Sequence, residues 1–282
     1  MSVCTYEESV QWLRSQAEYE ELVKFCHLDE NNLFAAERFL ASEEFDAIRK
    51  FLNLTRESKK LKILDLGCGN GIASYAFASL GHEVCAVDPD LSSDVGLGAI
   101  EQLNHKLQNG SILTAQAFAE SLPYPDGTFD IVYERQALHH FSDLLQGLSE
   151  CSRVLKPNGE FLATREHVVN DEEQLKEFLE NHILHQRHGG ENAYSLDEYI
   201  SALKQAGFKY VKTIAPFDNV VNHFPASNAD IKSSLSKALR SKIGNLPASI
   251  LANFPMLESL YRSRLSNGCN SPGRLFSFMC HK

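Results

Sequence analysis

From Tyr6 to Leu28 and again from Leu33 to Leu54, apolar residues recur at helical spacing among many acids, as in Val10, Leu13 and Ala17 or Phe45, Ile48 and Leu52. Such spacing gives two amphipathic helices, each with one apolar stripe. After Lys62 the rhythm changes. Short apolar runs (KILDL, HEVCAVD, SILTAQAF, FDIVYE, GEFLATRE and FKYVKTIA) alternate with helix-like segments, which predicts a mostly parallel sheet flanked by helices. Helical patterns return between Asn219 and Asn267, in DIKSSLSKALRSKI and PASILANFPMLESLYRSRL, before a last apolar run, RLFSFMC. The pattern divides the chain into an N-terminal helical extension or lid (1–60), a core (61–215), and a helical insertion followed by the last core strand (216–282).

Composition narrows the class. In 282 residues, 43% hydrophobic content is ample for a sizeable core. The formal charge is −10 and no Lys/Arg run exceeds the pair Lys59–Lys60, which argues against nucleic acid as a partner. The start, MSVCTYEESVQWLRSQ, has no basic segment leading into an apolar run, and no membrane-length apolar stretch follows. The seven cysteines are scattered and never form a CxxC pair, fitting neither a disulfide framework nor a zinc ribbon. The expectation is a soluble, cytoplasmic protein without a membrane span.

The strand ILDL runs directly into GCGNG, with a helix expected from Ile72. Strand, glycine turn and helix in this order place a ligand against backbone amides at the carboxyl end of a parallel sheet. A dinucleotide fingerprint needs glycine at 67, 69 and 72, but position 72 is Ile and the third glycine falls at 71. Asp65 would repel a pyrophosphate and attract a cationic amine. Asp88, ending HEVCAVD, can accept both hydroxyls of a ribose. The plainer alternatives are a tight turn that needs glycine and aspartates that cap helices.

Taken in order, LDLGCGNG, VDPD, ESLPYPDGTFDIVYERQALHHF and RVLKPNGEFLATRE resemble the successive motifs of class I S-adenosylmethionine-dependent methyltransferases (methyltransferase type 11-like), over roughly Leu61 to Ala215. The resemblance implies an α/β, Rossmann-like fold: a seven-stranded, mostly parallel sheet with helices on both faces, its last strand antiparallel beside FKYVKTIA. It also implies S-adenosylmethionine as cofactor. Asp65, Gly67, Cys68 and Gly69 would surround the methionine end, Asp88 would bind the ribose, Pro89 and Asp90 would border the adenine, and Ala119 and Glu120 would lie along it. Many relatives carry an acid two places before the position of Glu120. Here that place is Phe118, which either packs on the adenine or fills the core.

Methyl transfer from a sulfonium is activated by the cofactor itself, so the protein must align the nucleophile and, where needed, remove its proton. The strand ends present Glu134, Arg135 and Gln136, then His139 and His140, and further on Arg165, Glu166 and His167. A histidine of near-neutral pKa suits a hydroxyl acceptor, so the candidate catalytic groups are His139, His167 and Glu134. The alternative for His139 is packing beside the cofactor.

EFLENHILHQRHGGEN sets His182, His185 and His188 three apart, with Glu191 following. On one helix, two of these with Glu191 or Glu166 form a possible metal set; equally, histidines near a helix C-terminus complement its dipole, with Gly189 and Gly190 ending the helix. We assign no metal from sequence and read the segment as acceptor-binding. Trp12, Phe34, Phe254 and Tyr261 either pack on the core or form a lid or a partner surface. The sequence reading is a methyltransferase acting on a small-molecule or glycan acceptor at oxygen. The alternatives are a non-catalytic cofactor-binding or partner module, and a nicotinamide-dependent reductase, which Ile72 and Asp65 disfavour.

Overall fold

The computed structural model describes residues 4–54, 59–107, 110–243, 251 and 253–282. Part of the expected second insertion helix, Pro247 to Ile250 and Ala252, lies outside the described residues.

The apolar runs form β1 (Lys62–Leu66), β2 (Glu83–Asp88), β3 (Ser111–Gln116), β4 (Phe129–Arg135), β5 (Leu155–Val169), the short β6 (Tyr194–Ser195), β7 (Tyr210–Ile214) and β8 (Arg274–His281). Their order is β3-β2-β1-β4-β5-β8-β7, with β6 paired to the end of β5. The first five strands are parallel. β8 enters last and runs antiparallel between β5 and β7, so the sheet is mostly parallel with an antiparallel final strand, as the motifs implied.

Alternate residues of one strand serve two cores. Ile63, Val84, Ile131, Tyr133 and Leu162 pack into one cluster, whereas Leu64, Leu66, Cys85, Val132 and Phe161 pack into the other. A sheet covered on both faces needs strands that are apolar almost throughout, and this explains runs such as KILDL. The first cluster is completed by α3 (Asn32–Leu40), α4 (Glu43–Phe51), α5 (Ile72–Ser79) and α6 (Leu97–Asn104), the second by α7 (Leu144–Val154) and α10 (Leu196–Gln205).

The N-terminal region departs from the expected two helices. It contains α1 (Tyr6–Ser15), α2 (Glu20–Phe25), α3 and α4. The first break follows Ser15, where Gln16 is extended; the next falls at His27, in the left-handed region at φ 55°. Asn31 and Ser42 then restart helices by accepting the Phe34 and Phe45 N–H groups, at 3.1 and 3.0 Å. These breaks divide the extension into two parts with different tasks. α3 and α4 bury Phe39, Phe45 and Ile48 in the main core. α1 and α2 share a separate small cluster of Val10, Leu13, Val23, Leu28 and Val95 with Ile183 and Leu184.

Two further helices, α8 (Glu172–Asn181) and α9 (Ile183–His188), follow β5. The three histidines are therefore not aligned on one helix. His182 sits at the junction as the N-cap of α9, its ring accepting the His185 N–H at 3.4 Å, and Gly189 at φ 78° ends α9. Between β7 and β8 lie α11 (Val220–His223), α12 (Asn228–Ile243) and α13 (Pro255–Gly268). Buried Arg262 joins them by donating to the Phe217 carbonyl at 3.1 Å and to Asn228 Oδ1 at 2.9 Å. Phe34 and Phe254 are exposed, whereas Trp12 belongs to the small N-terminal cluster. No helix among the described residues is long and apolar enough to cross a membrane.

Candidate functional site

The turn after β1 holds Gly67, Gly69 and Gly71 at φ 65°, 49° and 79°. Gly67 is also fixed by space, because a Cβ there would lie 2.6 Å from the Ala137 Cβ. The turn is anchored to β2: Gly67 and Cys68 donate to the Val87 carbonyl at 2.8 and 3.2 Å, and Gly69 donates to Asp88 Oδ2 at 2.9 Å. The other Asp88 oxygen accepts the Asp90 N–H at 2.9 Å. Burial nonetheless raises the Asp88 pKa. Asp65, beneath the turn, accepts the Ser74 hydroxyl at 2.5 Å, and burial pushes it up to about 7. A cation arriving beside Asp65 would therefore hold it ionised.

The turn and the two aspartates border a cavity of about 430 Å³ at the carboxyl ends of the strands, within the usual size range of small-molecule sites. Asp65, Gly67, Cys68, Gly69, Asp88, Pro89, Ala119 and Glu120 all border it, and so do His139 and His167. Phe118 also lines it and is 65% exposed, so it does not fill the core. Glu120 braces the wall by accepting the Asp143 N–H at 3.1 Å.

Glu134 is placed differently. It lies below the cavity wall, where Oε2 accepts the Ala137 and Leu138 N–H groups at 3.0 and 3.1 Å. Burial and the adjoining Glu166 carboxylate raise its pKa well above the ordinary value, which disfavours its charged form while Oε2 holds the turn. Glu166 also accepts the Ala137 N–H at 2.9 Å, and its Oε2 accepts from His139 Nδ1 at 2.8 Å.

The histidines do not have the near-neutral pKa expected of a base. Burial opposes charge on His139, but Glu166 and Glu191 outweigh it and raise the ring to about 9. Burial, reinforced by the charge on His139, lowers His167 to about 3. His167 Nδ1 donates to the Gly273 carbonyl at 2.9 Å, leaving Nε2 with its lone pair. Glu191, His140, His182 and His188 also line the cavity. Burial pushes Glu191 up, but the surrounding histidines, His139 foremost, bring it down to about 2.

The two arginines at the strand ends are both engaged within the fold. Arg135 lines the cavity but is held by Glu44, at 2.8 Å from Nε. Arg165 is turned toward α11 and donates to the Val221 and Phe224 carbonyls at 2.9 and 3.1 Å, so it supports the fold instead of binding an anion.

Sequence reasoning named the N-terminal region as an extension or lid but did not single out Tyr6 in the roof of the cavity. Tyr6 of α1 lines the cavity and meets the His188 ring edge-on at 5.5 Å, while the Arg187 guanidinium lies 3.9 Å from the Trp12 ring centre. An Arg14–Asp94 ion pair ties α1 to the segment after β2. No local motif marks Tyr6. Ser74 was legible only as a helix residue, although it faces Asp65.

Sheet order and cavity position define the class: a class I methyltransferase fold, with the site at the carboxyl ends of its strands. Residues 64–163 match the family model described as "Methyltransferase domain". The chain is 36% identical over 122 residues to the uncharacterised methyltransferase YcgJ of Bacillus subtilis, covering 43% of this chain and 46% of YcgJ. It is 28% identical over 152 residues to 27-O-demethylrifamycin SV methyltransferase of Amycolatopsis mediterranei, covering 52% and 54% respectively. The chain thus spans about half the length of these curated relatives. Among solved structures, phosphoethanolamine N-methyltransferase 2 of Haemonchus contortus, in complex with S-adenosyl-L-methionine, superposes with a TM-score of 0.55 at 20% identity, covering 100% of this chain and 60% of that one. At that identity the similarity concerns the fold.

Proposed function

We propose that this protein is an S-adenosylmethionine-dependent methyltransferase acting at oxygen on a small-molecule or glycan acceptor. The observation that carries this reading is one cavity lined by two chemically different groups: the glycine turn with Asp65 and Asp88, and the cluster of His139, His140, His167 and Glu191. Asp65 takes the cationic amine of the methionine end, the turn follows the chain of the cofactor, and Asp88 accepts the ribose hydroxyls. Phe118 covers the adenine face. A methyl acceptor then lies between sulfonium and histidines.

In this reading the cofactor supplies the reactive methyl and the chain supplies alignment. His167 Nε2 receives a hydrogen bond from the acceptor hydroxyl, and His139 provides positive charge at the polar end. Glu134 and Glu166 position the Ala137–His139 turn. α1 acts as a lid through Tyr6, and residues 61–215 act as the cofactor-binding core. The polar character of the histidine end favours a hydroxylated acceptor over a hydrocarbon tail.

Calorimetric titration with S-adenosylhomocysteine, with NADH in parallel, tests the reading. Saturable binding of the first alone supports it and justifies an acceptor screen. Preferential binding of NADH would replace it with the reductase, and cofactor binding without turnover on any acceptor would favour a non-catalytic module.

A further inference from the structure

At the polar end of the cavity, three side chains from two separate segments converge. His139 and His140 lie in the turn after β4, and Glu191 follows the Gly189–Gly190 pair that ends α9. Their ligand atoms all lie within 4.8 Å of one another. We propose that His139, His140 and Glu191 form a binding site for one divalent transition-metal ion, with Zn²⁺ as the best chemical match.

The imidazoles are oriented for it. His139 Nδ1 pairs with Glu166 Oε2 at 2.8 Å, and His140 Nδ1 with the Gly190 carbonyl at 3.0 Å. Both acceptors favour a proton on Nδ1, so a metal ion would engage Nε2 of each ring, displacing the second proton that His139 carries when no ion is bound. The two Nε2 atoms stand 3.4 and 3.8 Å from the same Glu191 oxygen, Oε2. In a tetrahedral site with metal–ligand distances of about 2.0–2.1 Å, ligand atoms are about 3.3–3.4 Å apart. The first separation already has that length, and the second needs a small rotation of the half-exposed His140 ring.

The surroundings fit as well. A carboxylate behind a ligating histidine fixes its ring and raises its basicity, and Glu166 stands in that place behind His139. The Glu191 side chain is only 5% exposed and approaches three histidines: His139, His140 and His182, the last at 3.9 Å from Oε1. A buried carboxylate among imidazoles is a donor set suited to a borderline-soft cation. Two nitrogens and one carboxylate leave a fourth position open, and all three ligands line the cavity, so that position faces the space available to a small molecule. An ion there would act as a Lewis acid on an acceptor hydroxyl; this last role rests on the methyl-transfer reading, whereas the binding of the ion does not.

The test uses the full chain after chelator treatment, titrated with Zn²⁺ by calorimetry and with Co²⁺ by visible absorption. One equivalent of Zn²⁺, together with Co²⁺ bands of a four- or five-coordinate site, is expected. Glu191→Gln and His140→Ala should each weaken Zn²⁺ binding at least tenfold, while His105→Ala, at an exposed histidine outside the cavity lining, leaves it unchanged. S-adenosylhomocysteine titration of the same variants reports whether they are folded and tests the cofactor reading separately. Absence of stoichiometric Zn²⁺ binding, or retention of full affinity in both Glu191→Gln and His140→Ala, overturns the metal site whatever the cofactor result.

Discussion

Oδ2 of Asp88 accepts the N–H of Gly69 at 2.9 Å across nineteen residues of chain, joining the end of β2 to the glycine turn of β1. One carboxylate thus shapes the turn and faces the cavity. Asp88→Ala should weaken S-adenosylhomocysteine binding by about 1–3 kcal/mol, the range for losing a charged hydrogen-bonding partner. Calorimetry on a variant with an intact unfolding transition checks it. Unchanged affinity would mean that the ribose is held elsewhere.

Gly67→Ala adds both left-handed strain and a clash with Ala137. We expect a stability loss of at least about 2 kcal/mol, from backbone strain plus overpacking. Gly81 has a φ of 90° but nothing within 4 Å of an added Cβ, so Gly81→Ala isolates the strain. Urea unfolding of the two should show the larger loss at position 67; equal losses would remove the steric part of the argument.

Phe118 is exposed at the cavity edge, so Phe118→Ala should change stability by less than about 0.5 kcal/mol. If the ring stacks on adenine, the same change weakens S-adenosylhomocysteine binding by about 1–3 kcal/mol, the range for base–aromatic stacking. Wild-type affinity in this variant would leave Phe118 without a part in cofactor binding.

His27 is fully buried between Phe39 and Phe224, and neither ring nitrogen has a hydrogen-bond partner among the described residues. Burial lowers its pKa from an ordinary value near 6.5 to about 3. The unfolded chain therefore binds a proton that the folded state excludes. His27 imposes no penalty above pH 6.5, and stability falls as the pH drops from there toward 3, with a limiting slope of about 1.4 kcal/mol per pH unit. His27→Phe should flatten the pH dependence of urea unfolding between pH 6.5 and 4. Parallel profiles for the two proteins would show that the ring takes up its proton in the native state.

The α1 roof rests on a small cluster separate from the main core, and such units open locally. Trp12→Ala removes the ring beneath the Arg187 guanidinium. Amide exchange in α1 should accelerate while β1 and β4 keep their protection. Uniform acceleration across the sheet would show that the roof and core unfold together.

The sheet was legible because buried strands announce themselves as short apolar runs, and GCGNG because glycine adopts the left-handed conformation without the steric cost a side chain brings. Asp65 and Asp88 were legible for a related reason: each ends, or nearly ends, such a run, where the strand gives way to the loop at its carboxyl end. The N-terminal breaks were less legible, although Asn31 and Ser42 carry the capping signal.

The sequence by itself determined the alternation of strands and helices, the turn at the carboxyl end of β1 and the order of the cofactor-type motifs, because these follow from local periodicity and backbone conformation. Only the tertiary structure decided that Glu134 lies beneath the cavity wall while Glu166 meets His139, that Arg165 serves α11, that Tyr6 closes the roof, and that Glu191 meets His139 and His140 instead of a row of histidines on one helix. Those outcomes depend on which distant groups share a low-dielectric space. Periodicity records whether a residue turns inward, and only the packed chain sets the partner it finds there.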